Sequence, residues 1–283
     1  MSVDANPGAN SELPIVSVIT PSFNQSPFLE RTILSVLSQD YPNLEYIIVD
    51  GGSTDGSVEI IRRYEDRITS WSSEPDLGQT DAINKGFGRA QGEILCWLNS
   101  DDTFRPGAIR EAVEYLQSHP EIGMVYGIAY YIDEQDRVLG RFPMGQIGYA
   151  QLRRGGNAIA QQASFFRRRV WQMVGPLDPS FYYAMDWDLW VRIAAVTPIR
   201  FVPRPWANFR LHGGSKSLKE ANRCWPEMVR VHFREGGSRF SVLYAKYLLR
   251  RMVEPLMPLR MQLRFIAYAW QKRLGWVETV DER

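Results

Sequence analysis

Two adjacent aspartates, Asp101 and Asp102, close the segment Asn99-Ser100-Asp101-Asp102, directly behind the apolar run Ile94 to Leu98. Neighbouring carboxylates repel each other and need a cation or several hydrogen-bond donors to coexist. At a strand end beside a diphosphate, the natural compensator is Mg2+ or Mn2+, held through one or two carboxylates plus substrate phosphates. The competing reading is a solvated turn that caps the next helix, since Asp and Asn are ordinary turn residues.

Three further clusters could do related chemistry. Asp50 ends the run Glu45 to Val49 and precedes Gly51-Gly52-Ser53-Thr54-Asp55-Gly56. Its carboxylate can accept hydrogen bonds from a nucleobase imide or a ribose, and Gly51-Gly52 lets backbone approach a ligand. The alternative is a Gly-rich turn in which Asp55 caps the following helix. Asp186-Trp187-Asp188 opens a helical pattern carried on by Leu189, Trp190 and Ile193. One of these aspartates can serve as general base for an attacking hydroxyl, or both can simply favour a helix N-terminus. Arg210 and His212 alternate in an extended stretch before Gly213-Gly214, which places them on one face. Arg210 can pair with phosphate. His212 can ligate a metal or touch a phosphate, or be structural.

The elements that must position these residues alternate. Short β-branched or apolar runs at 15–20, 45–49, 68–72 and 93–98 predict strands, and helical spacing at 28–38, 57–64 and 80–90 predicts the helices between them. This order argues for an α/β fold with a largely parallel sheet. Ser22-Phe23-Asn24, Asp50 to Asp55 and Asn99 to Asp102 each follow a strand end, where open α/β sheets bind ligands. Beyond Thr103 the expectations are a helix at 106–118 with Pro106 near its start and strands at 124–132 and 138–142. A loop follows at 145–156, then a strand at 163–166, helices at 168–174 and 186–196, a strand at 199–202, and helical structure from 219 onward.

Composition narrows the class. The chain is 45% hydrophobic and 23% charged over 283 residues, as expected of a globular protein with a sizeable core. A net charge of +1 gives no global bias toward nucleic acid. Cys96 and Cys224 offer neither metal spacing nor a disulfide framework and read as free thiols in a reducing cytoplasm. Residues 1–13 read as a disordered leader without signal-peptide character, and no apolar run reaches the roughly 18 residues of a membrane span.

Taken in order, four blocks resemble the family 2 glycosyltransferases, inverting enzymes with the GT-A fold. They are Val16 to Asn24, Ile47 to Ser57, Asp81-Ala82-Ile83-Asn84-Lys85-Gly86, and Leu98 to Asp102. The resemblance runs from Pro14 to Ser217. It implies a GT-A type, Rossmann-like sheet, with 14–104 as the nucleotide-sugar-binding half, 105–218 as the acceptor-binding half and 219–283 as a C-terminal helical extension. By the same resemblance Pro21, Phe23 and Asn24 line the nucleotide pocket, Asp50 contacts the base beside Gly52, and Asp81 and Lys85 lie along the donor. Asn99, Ser100, Asp101 and Asp102 form a DXD-type motif whose usual leading aspartate is Asn99. Ligation of Mn2+ or Mg2+ then falls on Asp101 or, by preference, Asp102, with His212 as a further ligand. Asp186-Trp187-Asp188 is similar to the family's helix start, with Met185 where Glu is usual. Asp186 is the favoured base and Asp188 the alternative. Arg210 to Ser215 resembles a segment that closes over the diphosphate, and Gln161-Gln162 one near the acceptor.

The implied activity is transfer of a sugar from a nucleotide-diphosphate sugar, UDP by default, to a hydroxyl of a glycan or lipid-linked acceptor in surface polysaccharide or glycoconjugate synthesis. A catalytically silent sugar-nucleotide-binding or scaffold module is the alternative from another class. A nucleotidyltransferase reading lacks support, because this sequence shows no Gly-rich, Arg/Lys-bearing phosphate loop near its N-terminus. The segment 239–274 is basic and aromatic, and basic amphipathic helices can lie on anionic membranes or pack on the protein with their arginines in water. Peripheral contact with the inner face of the cell membrane and a homodimer both stay open on this reading.

Overall fold

The computed structural model describes residues 13–155, 159–214 and 224–253. Residues 1–12 of the expected leader and the basic extension beyond Val253 lie outside the described residues. Leu13, the last residue of the expected leader, packs against the core.

The first half builds β1 (Val16–Ser22), α1 (Ser26–Leu37), β2 (Leu44–Asp50), α2 (Ser57–Arg63), β3 (Ser70–Ser73), α3 (Gln79–Arg89) and β4 (Ile94–Trp97). The four strands pair in the order β3-β2-β1-β4, all parallel. Parallel neighbours require crossovers, which the helices supply. The near-continuous apolar runs follow from burial on both faces. Val16, Val18, Ile48, Ile94 and Cys96 enter one cluster with α1, α2 and the later helix α4. Ile19, Ile47, Val49, Leu95 and Trp97 enter the other with α3 and the later helices α6 and α7. This two-residue alternation is that of a strand.

The second half adds β5 (Thr103–Phe104), α4 (Ala108–Ser118), β6 (Met124–Ile132), β7 (Val138–Arg141), α5 (Tyr149–Leu152), β8 (Ser164–Arg167), α6 (Arg168–Val174), α7 (Met185–Val196) and β9 (Ile199–Arg210). Then come α8 (Cys224–Arg234) and α9 (Val242–Val253). The sheet continues from β4 through β8, β6 and β9 to β5, with β7 on β6. β8 is antiparallel to both β4 and β6, whereas β6 and β9 are parallel. The whole is a mixed, mostly parallel sheet with helices on both faces.

Several local expectations change. The last strand runs to Arg210 rather than stopping at residue 202. Pro203 and Pro205 read as breakers because proline cannot donate to a ladder, but register shifts on β6 around Ile128, which pairs with Pro205, let the strand continue. Pro106 lies two residues ahead of α4, with Gly107 at φ 80° between them. The expected loop at 145–156 holds the one-turn helix α5. β5 has only two residues, too few for any periodicity.

Aromatic packing fixes α7 to the sheet. Trp190 stacks on Trp97 with ring centroids 5.4 Å apart, and Phe166 meets both edge-on. Truncating a fully buried aromatic of this kind costs about 3–5 kcal/mol, so α7 is held firmly where it meets the strand ends.

Candidate active site

A cleft of about 1020 Å³ opens at the carboxyl ends of β1, β2 and β4 and extends between the two halves. Among the expected site residues, Pro21, Phe23, Asn99, Ser100, Asp101 and Asp186 line it. Phe23 is 61% exposed at its rim. Asn24, Asp50, Gly52, Asp81, Lys85, Asp102, Asp188, Arg210 and His212 stand outside that lining.

Asp50 is fully buried at the end of β2. Its Oδ2 accepts the N–H of Gly52 (3.1 Å), the N–H of Ser53 (2.8 Å) and the Ser73 hydroxyl (2.7 Å), while Oδ1 accepts the Ser53 hydroxyl at 2.6 Å. It thus organises the loop that follows it. Gly52 adopts φ +82°, which favours glycine, and a Cβ on Gly51 would lie 2.8 Å from Asp76 Oδ2. The close approach that Gly51 permits is therefore that of Asp76, which lines the cleft. Asn24, in the left-handed region at φ 51°, accepts the Thr54 N–H at 2.9 Å and joins the loops after β1 and β2. Asp55 accepts the N–H groups of Ser57 (3.1 Å) and Ser26 (2.8 Å), so it serves the first turns of both α2 and α1. Asp81 and Lys85 pair with each other at 3.0 Å along α3. The Leu77 N–H and the lysine hold the Asp81 carboxyl below its ordinary value.

The two neighbouring aspartates part company. Asp102 is fully buried, and its Oδ1 accepts the backbone N–H of Arg210 at 2.9 Å. Burial, reinforced by the Asp101 charge, pushes its carboxyl well above the usual carboxylate range. Asp101 lines the cleft, and its Oδ2 lies 3.0 Å from His212 Nε2. The carboxylate on the cleft is thus that of Asp101, while that of Asp102 is turned to the Arg210 N–H.

His212 is nearly buried against the Phe28 ring, 4.4 Å between centroids. The Gly214 N–H donates to its Nδ1 at 3.2 Å, so Nε2 carries the proton and donates to Asp101. Ligation through Nε2 requires the other tautomer and the loss of the Gly214 bond. Among the described residues no group of three or more His, Cys, Asp or Glu side chains could hold a metal ion. Asp101 alone or with His212 fits a hard cation that takes its remaining ligands from substrate phosphates.

Arg210, expected at the phosphate, is fully buried. Its Nε donates to Asp101 O and its Nη1 to Asp133 O, both at 2.8 Å. Its Nη2 pairs with Asp136 at 2.5 Å, and its guanidinium lies over Phe28. Arg210 and His212 do share a face, since both meet Phe28 and Asp101. Ser215, the last residue of that segment, lies outside the described residues.

At the start of α7 the two aspartates differ in placement. Asp188 is fully buried between Arg192 (2.9 Å) and Arg234 (2.5 Å) and is off the cleft lining. Asp186 lines the cleft half-buried, and its Oδ1 accepts the Trp187 N–H at 2.7 Å. Burial pushes its carboxyl up from 3.8 to about 6, against the pull of that N–H and with a further push from Glu227.

Asn99 takes no free role either. Gln79 donates to its Oδ1 at 2.7 Å, it donates to Gln161 Oε1 at 3.2 Å, and Gln161 donates to Trp97 O at 2.7 Å. This chain of amides crosses the cleft floor from α3 to the Gln161-Gln162 segment, which lines the cleft as expected. Sequence reasoning missed Asp76 and Gln79. Asp76-Leu77-Gly78 before a helix was the available signal, because Asp76 accepts the Gly78 N–H at 2.7 Å as turn aspartates do. Tyr131 with Phe142 and Phe209, and Tyr182 with Tyr183, add two groups of aromatic rings to the cleft lining.

A family model described as Glycosyl transferase family 2 matches residues 17–172. An uncharacterized glycosyltransferase of Mycobacterium tuberculosis is 36% identical over 186 residues, covering 65% of this chain and 70% of its own. Among solved structures, Staphylococcus aureus TarS 1-349 in complex with UDP-GlcNAc aligns with a TM-score of 0.65 and 14% identity over 83% of this chain and 71% of that one. The mannosyltransferase PcManGT of Pyrobaculum calidifontis, in complex with GDP-Man and Mn2+, aligns with a TM-score of 0.62 and 20% identity over 85% and 71%.

Proposed function

Because this chain belongs to glycosyl transferase family 2 and has the GT-A fold, we propose that it transfers a sugar from a nucleotide-diphosphate sugar, UDP by default, to a hydroxyl of a glycan or lipid-linked acceptor, with inversion at the anomeric carbon. The observation that carries this reading is the pair of carboxylates on one cleft. Asp101 faces it from the strand ends of the first half, and Asp186 from the start of α7. The first suits a cation–diphosphate complex and the second suits a proton acceptor.

In the proposed step Asp186 takes the acceptor's hydroxyl proton while that oxygen forms a bond to the anomeric carbon. The bond from that carbon to the diphosphate oxygen breaks on the opposite face, and its electron pair leaves with the nucleoside diphosphate. A carboxyl raised to about 6 is a stronger base than an ordinary aspartate, yet is ionised at neutral pH. A divalent cation at Asp101 would neutralise charge on the departing diphosphate. Phe23 offers an exposed ring at the donor end, and the other aromatic rings that line the cleft suit sugar rings, which favours a glycan acceptor. The complexes of TarS with UDP-GlcNAc and of PcManGT with GDP-Man and Mn2+ support the donor class and the cation.

The proposal extends to a lipid surface. On α9 and just before it, Phe240 (98% exposed), Val242, Leu249 and Met252 (75%) are unburied beside exposed Arg239, Lys246 and Arg251. That combination suits peripheral contact with an anionic membrane, on its inner face if the chain works in the cytoplasm.

The test is a panel of nucleotide sugars with and without Mn2+, read by thermal shift and by nucleoside diphosphate release. A donor at a hundred times its Kd adds about 2.7 kcal/mol of stability. The expected result is a metal-dependent rise with a subset of donors and diphosphate release on adding acceptor, both lost in Asp101→Asn. No shift with any donor, or release of pyrophosphate instead, would sink the reading.

A further inference from the structure

Three backbone N–H groups just ahead of α7 converge on one carboxylate. Glu227 Oε1 accepts from Tyr182 at 3.0 Å, and its Oε2 accepts from Tyr183 and Ala184, both at 2.8 Å. Glu227 lies in the first turn of α8, more than forty positions along the chain. Near the end of the same helix, Arg234 pairs with Asp188, which Arg192 also holds. α8 therefore grips the chain on both sides of Asp186, at 182–184 before it and at 188 after it. The local sequence cannot supply the first grip, because the residue at the N-cap of α7 is Ala184, which makes no side-chain cap.

We infer that Glu227 is a positioning residue for Asp186, fixing the backbone turn that delivers the proposed base into the cleft. This rests on the reading of Asp186 given above. Ionised acceptors bind N–H groups more strongly than neutral ones, and three such bonds leave the turn little freedom. The geometry gives Glu227 a second influence, since its charge disfavours charge on Asp186. Cys224 of α8 faces the same space, as do Tyr182 and Tyr183 ahead of α7 and Asp76 and Asp101 across the cleft. On α7 itself the Asp188 charge is met by Arg192 and Arg234, and from α9 the Arg250 charge acts on Cys224. Glu227 is the one acid in this set that both touches the turn and raises the base.

Two variants separate position from charge. Glu227→Gln turns one acceptor oxygen into an NH2 group facing backbone donors and removes the charge. Glu227→Asp keeps the charge on a shorter arm. Misplacing a catalytic group by an ångström costs about a hundredfold, so both variants are expected to lower kcat by tenfold or more with donor KM unchanged. The acid limb of the pH profile should move to lower pH in Glu227→Gln and stay in place in Glu227→Asp. If the glutamine variant does not fold, the aspartate variant decides through its split between kcat and KM. Wild-type kcat and an unmoved acid limb in folded variants would overturn the inference. An active Asp186→Asn would sink the base assignment itself. A dead Asp186→Asn beside unaffected Glu227 variants would sink the positioning role alone.

Discussion

Replacing Asp186 by asparagine preserves the shape of the side chain and its acceptor for the Trp187 N–H at 2.7 Å, and removes only the charge. Two effects of opposite sign should follow. Transfer loses its proton acceptor, and a positioned general base contributes about 10²–10⁴-fold, or about 3–5 kcal/mol of barrier. Stability should rise. Burial holds this carboxyl at about 6 against its ordinary 3.8, and a pKa unit is worth about 1.4 kcal/mol. The ceiling is therefore about 3 kcal/mol, and partial solvent screening of a half-buried group brings it to about 1–2 kcal/mol. The sign follows from linkage. A carboxyl raised in the folded state penalises folding fully above pH 6. The penalty shrinks as pH falls from 6 toward 3.8 and is absent below that. Asp186→Asn should thus raise Tm by a few degrees at pH 8, at about 2–4 °C per kcal/mol in a protein of this size, and by nothing near pH 3.8. Melting curves across this range, with diphosphate release at pH 7.5, make the measurement. A variant that melts lower at pH 8, or whose gain is the same at acid pH, would show that Asp186 is a helix-terminal carboxylate and not a strained base. Full transfer activity would say the same from the chemical side.

Two further outcomes test the roles read for Arg210 and for α9. Arg210→Met leaves the Asp101 and Asp133 carbonyls without their donor, while the half-exposed Asp136 keeps Arg31 at 2.7 Å, so it should destabilise by about 1–3 kcal/mol while donor affinity in the folded fraction holds. A large loss of donor affinity at unchanged Tm would return Arg210 to the phosphate. The combined Phe240→Ser, Leu249→Ser and Met252→Ser variant should no longer float with vesicles of anionic phospholipid, while transfer to a soluble acceptor continues; undiminished flotation would refute the lipid contact through α9.

What was legible in the sequence follows from what each signal depends on. The parallel strands declared themselves because burial on both faces forces apolar runs such as Ile47 to Val49 and Ile94 to Leu98. The cleft was legible as polar clusters at strand ends. The side of the cleft on which each acid falls was not. Asp101 and Asp102 are adjacent and chemically identical, and only the Arg210 N–H, over a hundred positions away, marks which one is buried. Asp186 and Asp188 are divided in the same way by Arg234. β9 was cut short in reading because its prolines carry a strong local signal, while the register shifts that tolerate them lie on β6.

The two acidic pairs follow one physical pattern. In each, one aspartate faces the cleft and its neighbour is buried against a group from a distant segment: the Arg210 N–H at the end of β9 for Asp102, and Arg234 of α8, beside Arg192 one turn along α7, for Asp188. A buried acid left without such groups would be costly, so each inner aspartate demands that a particular later segment be in place. Arg210 in turn binds the carbonyls of Asp101 and Asp133 and the Asp136 side chain, which draws the loop bearing Asp101 against the second half. Arg234 and Glu227 do the same for the start of α7. The inner acids are thus couplers: they fix the segments that bear the outer acids, Asp101 and Asp186, by tying each to the fold of the other half or of α8. On this view Asp188→Asn should cost about 3–5 kcal/mol, as loss of one partner from a buried salt bridge does, with activity falling through displacement of Asp186, whereas Asp102→Asn, which keeps an acceptor for the Arg210 N–H in place of a carboxyl that burial has pushed up, should be tolerated in stability.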